Sequence, residues 1–361
     1  MWATPWGVAD RLLHLTMQSA WCSTGNTTEL SGHAYGHLQH LRRTRGFDQT
    51  EQAPIIDAVQ LISACRFNDW PHAQQWRDQA LRRLPISLSA SMYADGSPKD
   101  SPAQLYNRLW CTALAQASMQ QNKENLPPLA LDALARGTGF LVDLCGPWGE
   151  LPLLGDPPPN LGKWSQQASI FTLAHLVHQW LGVSCPRPAD PDPDLARLGG
   201  GKPTGEPWPK ARFWTAHAWH AAGLAVAHNS THHIIGRSTD QSIWWTMNRE
   251  PIVHGSGTNC IHEPTPLQRA RTDDRTVRMN FGGRAAVFEG NRLTVRDAPS
   301  DARRRWTFPV GTQFTKLEQG YRAETPLADL VIKTSSHWEV DEHCLVLPTL
   351  HTATEIRIEA R

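Results

Sequence analysis

Apolar positions change their period once along this chain. Up to about residue 181 they recur at helical spacing. Ile55, Ala58, Val59, Ile62 and Cys65 make one apolar face, and Trp76, Ala80 and Leu84 make the next. Pro71 is expected at the start of that second helix, where a missing N–H costs little. Leu105, Leu109 and Ala113 predict a helix entered through Ser101-Pro102. Leu131, Leu134 and Leu141 predict another, weakened by Gly137 and Gly139. Ile170, Leu173, Val177 and Trp180 give the last. From Phe213 onward the pattern changes to short β-branched and aromatic runs separated by turn residues. Strands are expected at 223–226, 232–235, 243–247, 276–281, 285–288, 293–295, 306–308, 330–333, 344–347 and 355–358. Between the two patterns, 185–209 is rich in Pro, Gly and Asp and reads as a linker. The expected class is α+β multidomain: a helical domain over 1–184, a linker over 185–212 and a β-domain over 213–361.

The chain is organised around Arg237 to Thr258, RSTDQSIWWTMNREPIVHGSGT. SIWWTM suits a pleated, half-buried surface. Asn248-Arg249-Glu250 supplies a turn, Asn being tolerant of left-handed backbone. PIVHGSGT then runs outward to two glycines. The stretch therefore reads as two strands joined by a tight turn.

Composition narrows the function. The 361 residues are enough for two domains. A net charge of +1, with no long basic run, argues against a nucleic-acid footprint. Seven cysteines without C-x-x-C spacing disfavour a zinc ribbon or a disulfide framework. No apolar run reaches membrane-spanning length. The N-terminus shows neither a charged n-region nor an apolar h-region, so the compartment at face value is cytoplasmic. Sixteen Trp against four Tyr is unusual. Most Trp are expected in the core, with a few free to stack on sugar rings. Gly199 to Lys202 lacks the P-loop context, and Asp190, Asp192 and Asp194 sit among prolines, unlike a calcium loop.

Four segments carry a family resemblance. Ser242, Pro251, Ile252, Val253, Gly257 and Thr258 fall on a strand–turn–G-T frame that resembles the heparinase II/III-like polysaccharide lyases. Arg269 to Val277, RARTDDRTV, resembles that family's R-x-T-x-x-H-N-T-V. Asp95 to Pro102, DGSPKDSP, resembles its D-G-G-x-x-E-x-S-P, and Gly149, Pro152 and Asp156 fall on a further loop motif. The resemblance implies an α/α toroid, complete or partial, followed by an antiparallel β-sandwich. It also implies β-elimination on a uronate-containing polysaccharide in a cleft between the two. In that reaction one group neutralises the sugar carboxylate, a base takes the C5 proton, and an acid protonates the leaving oxygen.

Candidates follow from that chemistry. Tyr106 is the expected phenol, although the family's position after S-P is Gln104. Two residues on a helix are roughly 200 degrees apart, nearly the opposite face, so packing is an equal reading. Asn107 and Arg108 lie alongside as substrate-binding candidates. Arg237 is suited to a uronate carboxylate. His232 and His233 are adjacent on a strand, so one faces the core and the other faces outward. His233 and His254 are the catalytic histidine candidates; His232 and His262 are substrate-binding ones. The family's zinc positions read Arg237, Gly255 and Asp274 here, and the Asp of its H-x-D segment reads Thr239, so no metal and no cofactor are expected. His33, His37 and His40 share a helix face at metal-compatible spacing, but without a matching carboxylate they read as a polar face. Asp57 stands near the place of the family's Asn-His pair, where it would repel a uronate. The expected partner is an acidic polysaccharide or oligosaccharide. Two other readings remain: a non-catalytic carbohydrate-binding relative, and a glycoside hydrolase using two of Asp95, Asp100, Glu150 and Asp156.

Overall fold

The computed structural model describes residues 5–21, 27–43, 52–145, 170–182, 214–238, 242–248, 250–253, 255–258, 269–272, 276–281, 284–297, 304–326, 328–334, 338–342, 344–347 and 354–360. Two compact units divide these residues, helices in one and strands in the other. The boundary falls within 183–213, so the expected linker lies outside the described residues.

The helices are α1 (Pro5–Trp21), α2 (Thr27–Arg43), α3 (Ala53–Arg66), α4 (Ala73–Ala90), α5 (Pro102–Gln121), α6 (Pro128–Cys145) and α7 (Ile170–Leu181). α3 packs on α1, α4 and α5; α5 packs on α3, α6 and α7. Composition explains the layering. Every residue of α3 from Ala53 to Ala64 is buried, as is nearly all of α5 up to Met119. A helix apolar all round belongs inside, and one with a single apolar stripe belongs outside. α4 is of the second kind, burying only Trp76, Ala80, Leu84 and Leu88 of its central turns together with Ala73 and Pro85. Among the described residues no helix is long and apolar enough to cross a membrane.

Two expectations about the helices change. Pro71 lies in a turn, and α4 begins only at Ala73 after His72, whose φ is 70°. Gly137 does not break α6. A Cβ there would come within 2.9 Å of the Leu109 side chain, so its absence lets α5 and α6 approach closely.

The loop entering α5 is built by DGSPKDSP. Asp95 Oδ1 accepts from the Ser97 N–H (3.0 Å) and hydroxyl (2.6 Å), an Asx turn. Gly96 has φ +86°, and a Cβ on it would meet the Arg136 carbonyl oxygen at 2.4 Å. Ser101 then caps α5: its backbone is extended, and its hydroxyl accepts from the Gln104 N–H at 3.2 Å.

The strands form three antiparallel sheets. β1 (Thr215–Trp219), β2 (Leu224–His228), β3 (His232–Arg237), β4 (Ser242–Met247) and β5 (Glu250–Val253) make the first, in that order. β6 (Gly255–Thr258) pairs with β11 (Arg304–Thr307), which continues through β16 (Cys344–Leu347) to β15 (Glu339–Asp341). The largest sheet runs β12-β13-β14-β17-β10-β9-β8-β7. Its strands are β7 (Arg269–Thr272), β8 (Thr276–Phe281), β9 (Arg284–Glu289), β10 (Arg292–Asp297), β12 (Gln313–Leu317), β13 (Gly320–Glu324), β14 (Asp329–Thr334) and β17 (Thr354–Ala360). One apolar core joins the sheets; it includes Ile234 and Trp245 from the first, Phe288 and Ile358 from the largest, and Trp306 and Leu345 from the third.

The organising stretch is richer than two strands. β4 and β5 do form the expected hairpin, with Asn248 at φ 51°. The chain then leaves that sheet, and Gly255 to Thr258 pairs in another. Arg237 closes β3 opposite Ser242, rather than standing at the entrance to β4.

Candidate active site

Strand alternation sorts the first sheet into two faces. The core face carries Ala225, Ala227, Ile234, Ile243 and Trp245. His232 lies on it. Its Nδ1 accepts from the Trp245 indole N–H at 3.3 Å, and its Nε2 lies 3.1 Å from Asn291 Oδ1. The pair of bonds fixes the tautomer with the proton on Nε2. Burial lowers the pKa of this ring, opposed by the bond to Asn291. His232 is a neutral core histidine, stacked on Trp214 at 5.9 Å.

The opposite face groups polar and aromatic side chains. Register places Thr215, His228, His233 and Thr246 in one row across β1–β4. The next row is His217, Val226, Ile235 and Trp244, and Arg237 stands beside Ser242 and Leu224 in the third. The His228 and His233 rings are 6.4 Å apart, edge to face. The Thr215 hydroxyl lies 3.1 Å from His228 Nε2. Burial pushes the His228 pKa down to about 4, with a smaller push from His217. The Arg237 guanidinium sits over the Trp244 ring at 5.1 Å. Such a face offers a cation, an indole surface and imidazoles.

β2 is buried along its whole length, and β3 up to Gly236. Their composition therefore does not alternate in polarity, which is why sequence alone could not say which histidine faced which way.

On the helical unit, Tyr106, Asn107 and Arg108 occupy the first turns of α5 and are 8%, 2% and 1% exposed. Arg108 makes a fork-to-fork ion pair with Asp100, through Nη1 to Oδ1 at 3.0 Å and Nη2 to Oδ2. The Asn107 Nδ2 meets no hydrogen-bond acceptor of ordinary geometry among the described residues, and one turn on the buried Trp110 Nε1 does likewise. A buried donor without an acceptor is costly, so an amide left this way is suited to a ligand oxygen.

Other candidates resolve differently. His254 and His262 lie outside the described residues, as do Thr239, Asp274, Gly149, Glu150, Pro152 and Asp156. Asp57 is buried against Arg83 (3.2 Å) and accepts from the Ser87 hydroxyl (3.0 Å), a structural role within α3 and α4. Asp95 is held in its Asx turn and Asp100 by Arg108, so neither stands ready as a hydrolase carboxylate. His33 and His40 are exposed on α2, and His33 lies 3.8 Å from Glu29. Among the described residues no three His, Cys, Asp or Glu side chains form a group that could hold a metal ion. At one expected zinc position the sheet presents the Arg237 cation, which does not fit a metal, and at another Gly255, which has no donor side chain.

Sequence reasoning missed His217, His228 and Trp244. The signal was present: Asn229-Ser230-Thr231 turns β2 into β3 so that His228 pairs with His233.

No family model matches this sequence, and no curated protein matches it. Solved structures do. The crystal structure of heparinase III superposes with a TM-score of 0.70 at 9% identity, over 99% of this chain and 69% of that one. A mutant of heparan sulfate lyase HepC from Pedobacter heparinus gives 0.61 at 12% identity, over 99% and 66%. A crystal structure of heparan sulfate lyase HepC from Pedobacter heparinus gives 0.59 at 11%, over 99% and 68%. The chain has the fold of these polysaccharide lyases, a helical toroid followed by antiparallel sheets, and spans about two thirds of their length.

Proposed function

We propose that this protein acts on an acidic, uronate-containing polysaccharide by β-elimination. The observation that carries the reading is the outer face of the first sheet, where Arg237 stacks over Trp244 on the face that also holds His228 and His233. The guanidinium is suited to a carboxylate and the indole to the apolar face of a pyranose. The likeness in fold to polysaccharide lyases supports a polysaccharide substrate.

Arg237 is assigned to the uronate carboxylate, whose neutralisation makes the C5 proton removable. His233 is assigned as the base that takes that proton. The C4–O bond then breaks, a C4–C5 double bond forms, and the leaving oxygen receives a proton. On the helical unit, Tyr106 is assigned to proton transfer and Asn107 to a sugar oxygen. Arg108 orders the Asp95–Pro102 loop through Asp100.

The test is a panel of uronate polysaccharides assayed for the absorbance of unsaturated product. Tyr106→Phe should abolish turnover and leave binding in place; Arg237→Ala should weaken both. A second reading, glycan binding without catalysis, draws on His228 at about 4 and on His232, whose pKa burial lowers, neither suited to proton transfer at neutral pH. Binding without unsaturated product, or turnover unchanged in Tyr106→Phe, would overturn the lyase assignment.

A further inference from the structure

The helical unit carries a pocket that the proposed chemistry does not use. It has a volume of about 330 Å³ and is lined by Ala64, Cys65, Asn68, Ala73, Gln74, Arg77, Asn122 and Glu124. These residues come from the end of α3, the start of α4 and the end of α5. Tyr106 and Asn122 are sixteen positions apart at opposite ends of α5, about 24 Å at 1.5 Å per residue. The pocket is therefore remote from the polar cluster at the start of that helix.

Its lining selects a chemistry. Among the described residues no aromatic or branched aliphatic side chain lines it, so a lipid or a flat apolar ligand would bury little against it. Three amides, Asn68, Gln74 and Asn122, offer donors and acceptors together, as a ligand with several hydroxyls requires. Cys65 contributes a neutral thiol, its pKa raised by burial. Arg77 is the cation of the lining. It pairs with Glu124, whose side chain is 46% exposed, while its Nε is buried and meets no acceptor of ordinary geometry among the described residues. Exposed pairs of this kind contribute little, so a ligand carboxylate can replace Glu124 and take Nε as well. The volume lies at the lower end of the range for small-molecule sites.

We infer that this pocket binds a small polyhydroxylated carboxylate of the uronic-acid class. The inference stands on the pocket alone and holds whether or not the chain is a lyase. Glu124 then acts as an internal competitor that occupies Arg77 when no ligand is bound.

Ligand-observed NMR on the full chain tests this, with D-glucuronate as probe and D-glucose as its uncharged counterpart. The Arg237→Ala background removes the proposed anion contact on the sheet. In it, glucuronate should bind and glucose should bind at least tenfold more weakly, about the worth of one charge-assisted bond. Arg77→Gln should lose that preference. Glu124→Gln, at an exposed position that leaves the fold intact, should tighten glucuronate several-fold by releasing Arg77. Equal binding of the two sugars, or Glu124→Gln without gain, would overturn the inference. So would glucuronate binding that disappears in Arg237→Ala, since that would place the sugar on the sheet face.

Discussion

His228 makes acid stability a quantitative prediction. Its folded pKa of about 4 lies below the ordinary 6.5 because burial penalises the charged ring and His217 adds to the penalty. Between those values the unfolded chain binds the proton and the folded chain does not. Stability from this group is therefore complete above about pH 6.5 and is lost as the pH falls towards 4. The full difference of about 2.5 units corresponds to about 3.4 kcal/mol, and about 2 kcal/mol is already gone at pH 5. His232 shifts in the same direction but is present in both proteins being compared. Urea unfolding of the wild type and of His228→Gln, followed by tryptophan fluorescence at neutral pH and at about pH 5, isolates the term. The substituted glutamine keeps a polar group near Thr215 and does not titrate. The variant should be less stable than wild type at neutral pH and should lose about 2 kcal/mol less on acidification. In parallel, NMR should show one imidazole with no inflection above pH 5. Equal losses in the two proteins, or a His228 inflection near its ordinary value, would refute the reasoning.

Three further outcomes follow from particular contacts. Gly96→Ala places a Cβ at 2.4 Å from the Arg136 carbonyl oxygen in left-handed backbone, and should cost about 2–3 kcal/mol in thermal unfolding; a change within error would mean that the loop can move away from α6. Asp297→Ala removes the carboxylate that accepts from the buried Arg284 guanidinium at 2.6 and 2.9 Å, with an expected loss of about 3–5 kcal/mol in denaturant unfolding. Cys111, pushed up to about 12 by burial with Asp10 adding to it, should resist iodoacetamide in the native protein at neutral pH and react only after unfolding, as read by mass spectrometry.

The sequence was most readable where burial is one-sided or a turn has its own chemistry. Asn248 took the left-handed backbone expected of it, and each strand placed from β-branched runs has a counterpart in the sheets. β12 and β15 escaped notice because they are nearly all exposed, leaving too few apolar residues to mark a period. α6 looked weak because helix propensity charges Gly137 for its missing side chain, whereas Leu109 fills that space in the fold. The candidate site was legible one residue at a time. His233 and Arg237 could be named, but their company could not: His228 and Trp244 join them only through cross-strand register, which is a property of two hairpins rather than of any local motif.

That register is anchored at its tip by a side chain. The Asn229 side-chain oxygen accepts from the Thr231 N–H (2.9 Å), the Thr231 hydroxyl (3.1 Å) and the His232 N–H (2.8 Å). Since His232 and His233 are neighbours on one strand, sliding β3 by one residue would exchange them, turning the core imidazole outward and the outer one inward. This side-chain amide, with the Asn229 N–H donating to the His232 carbonyl at 3.0 Å, thus acts as the detent of a two-position selector. Lengthening this turn by one residue would keep every amino acid of the sheet and yet present a different histidine to whatever molecule approaches it.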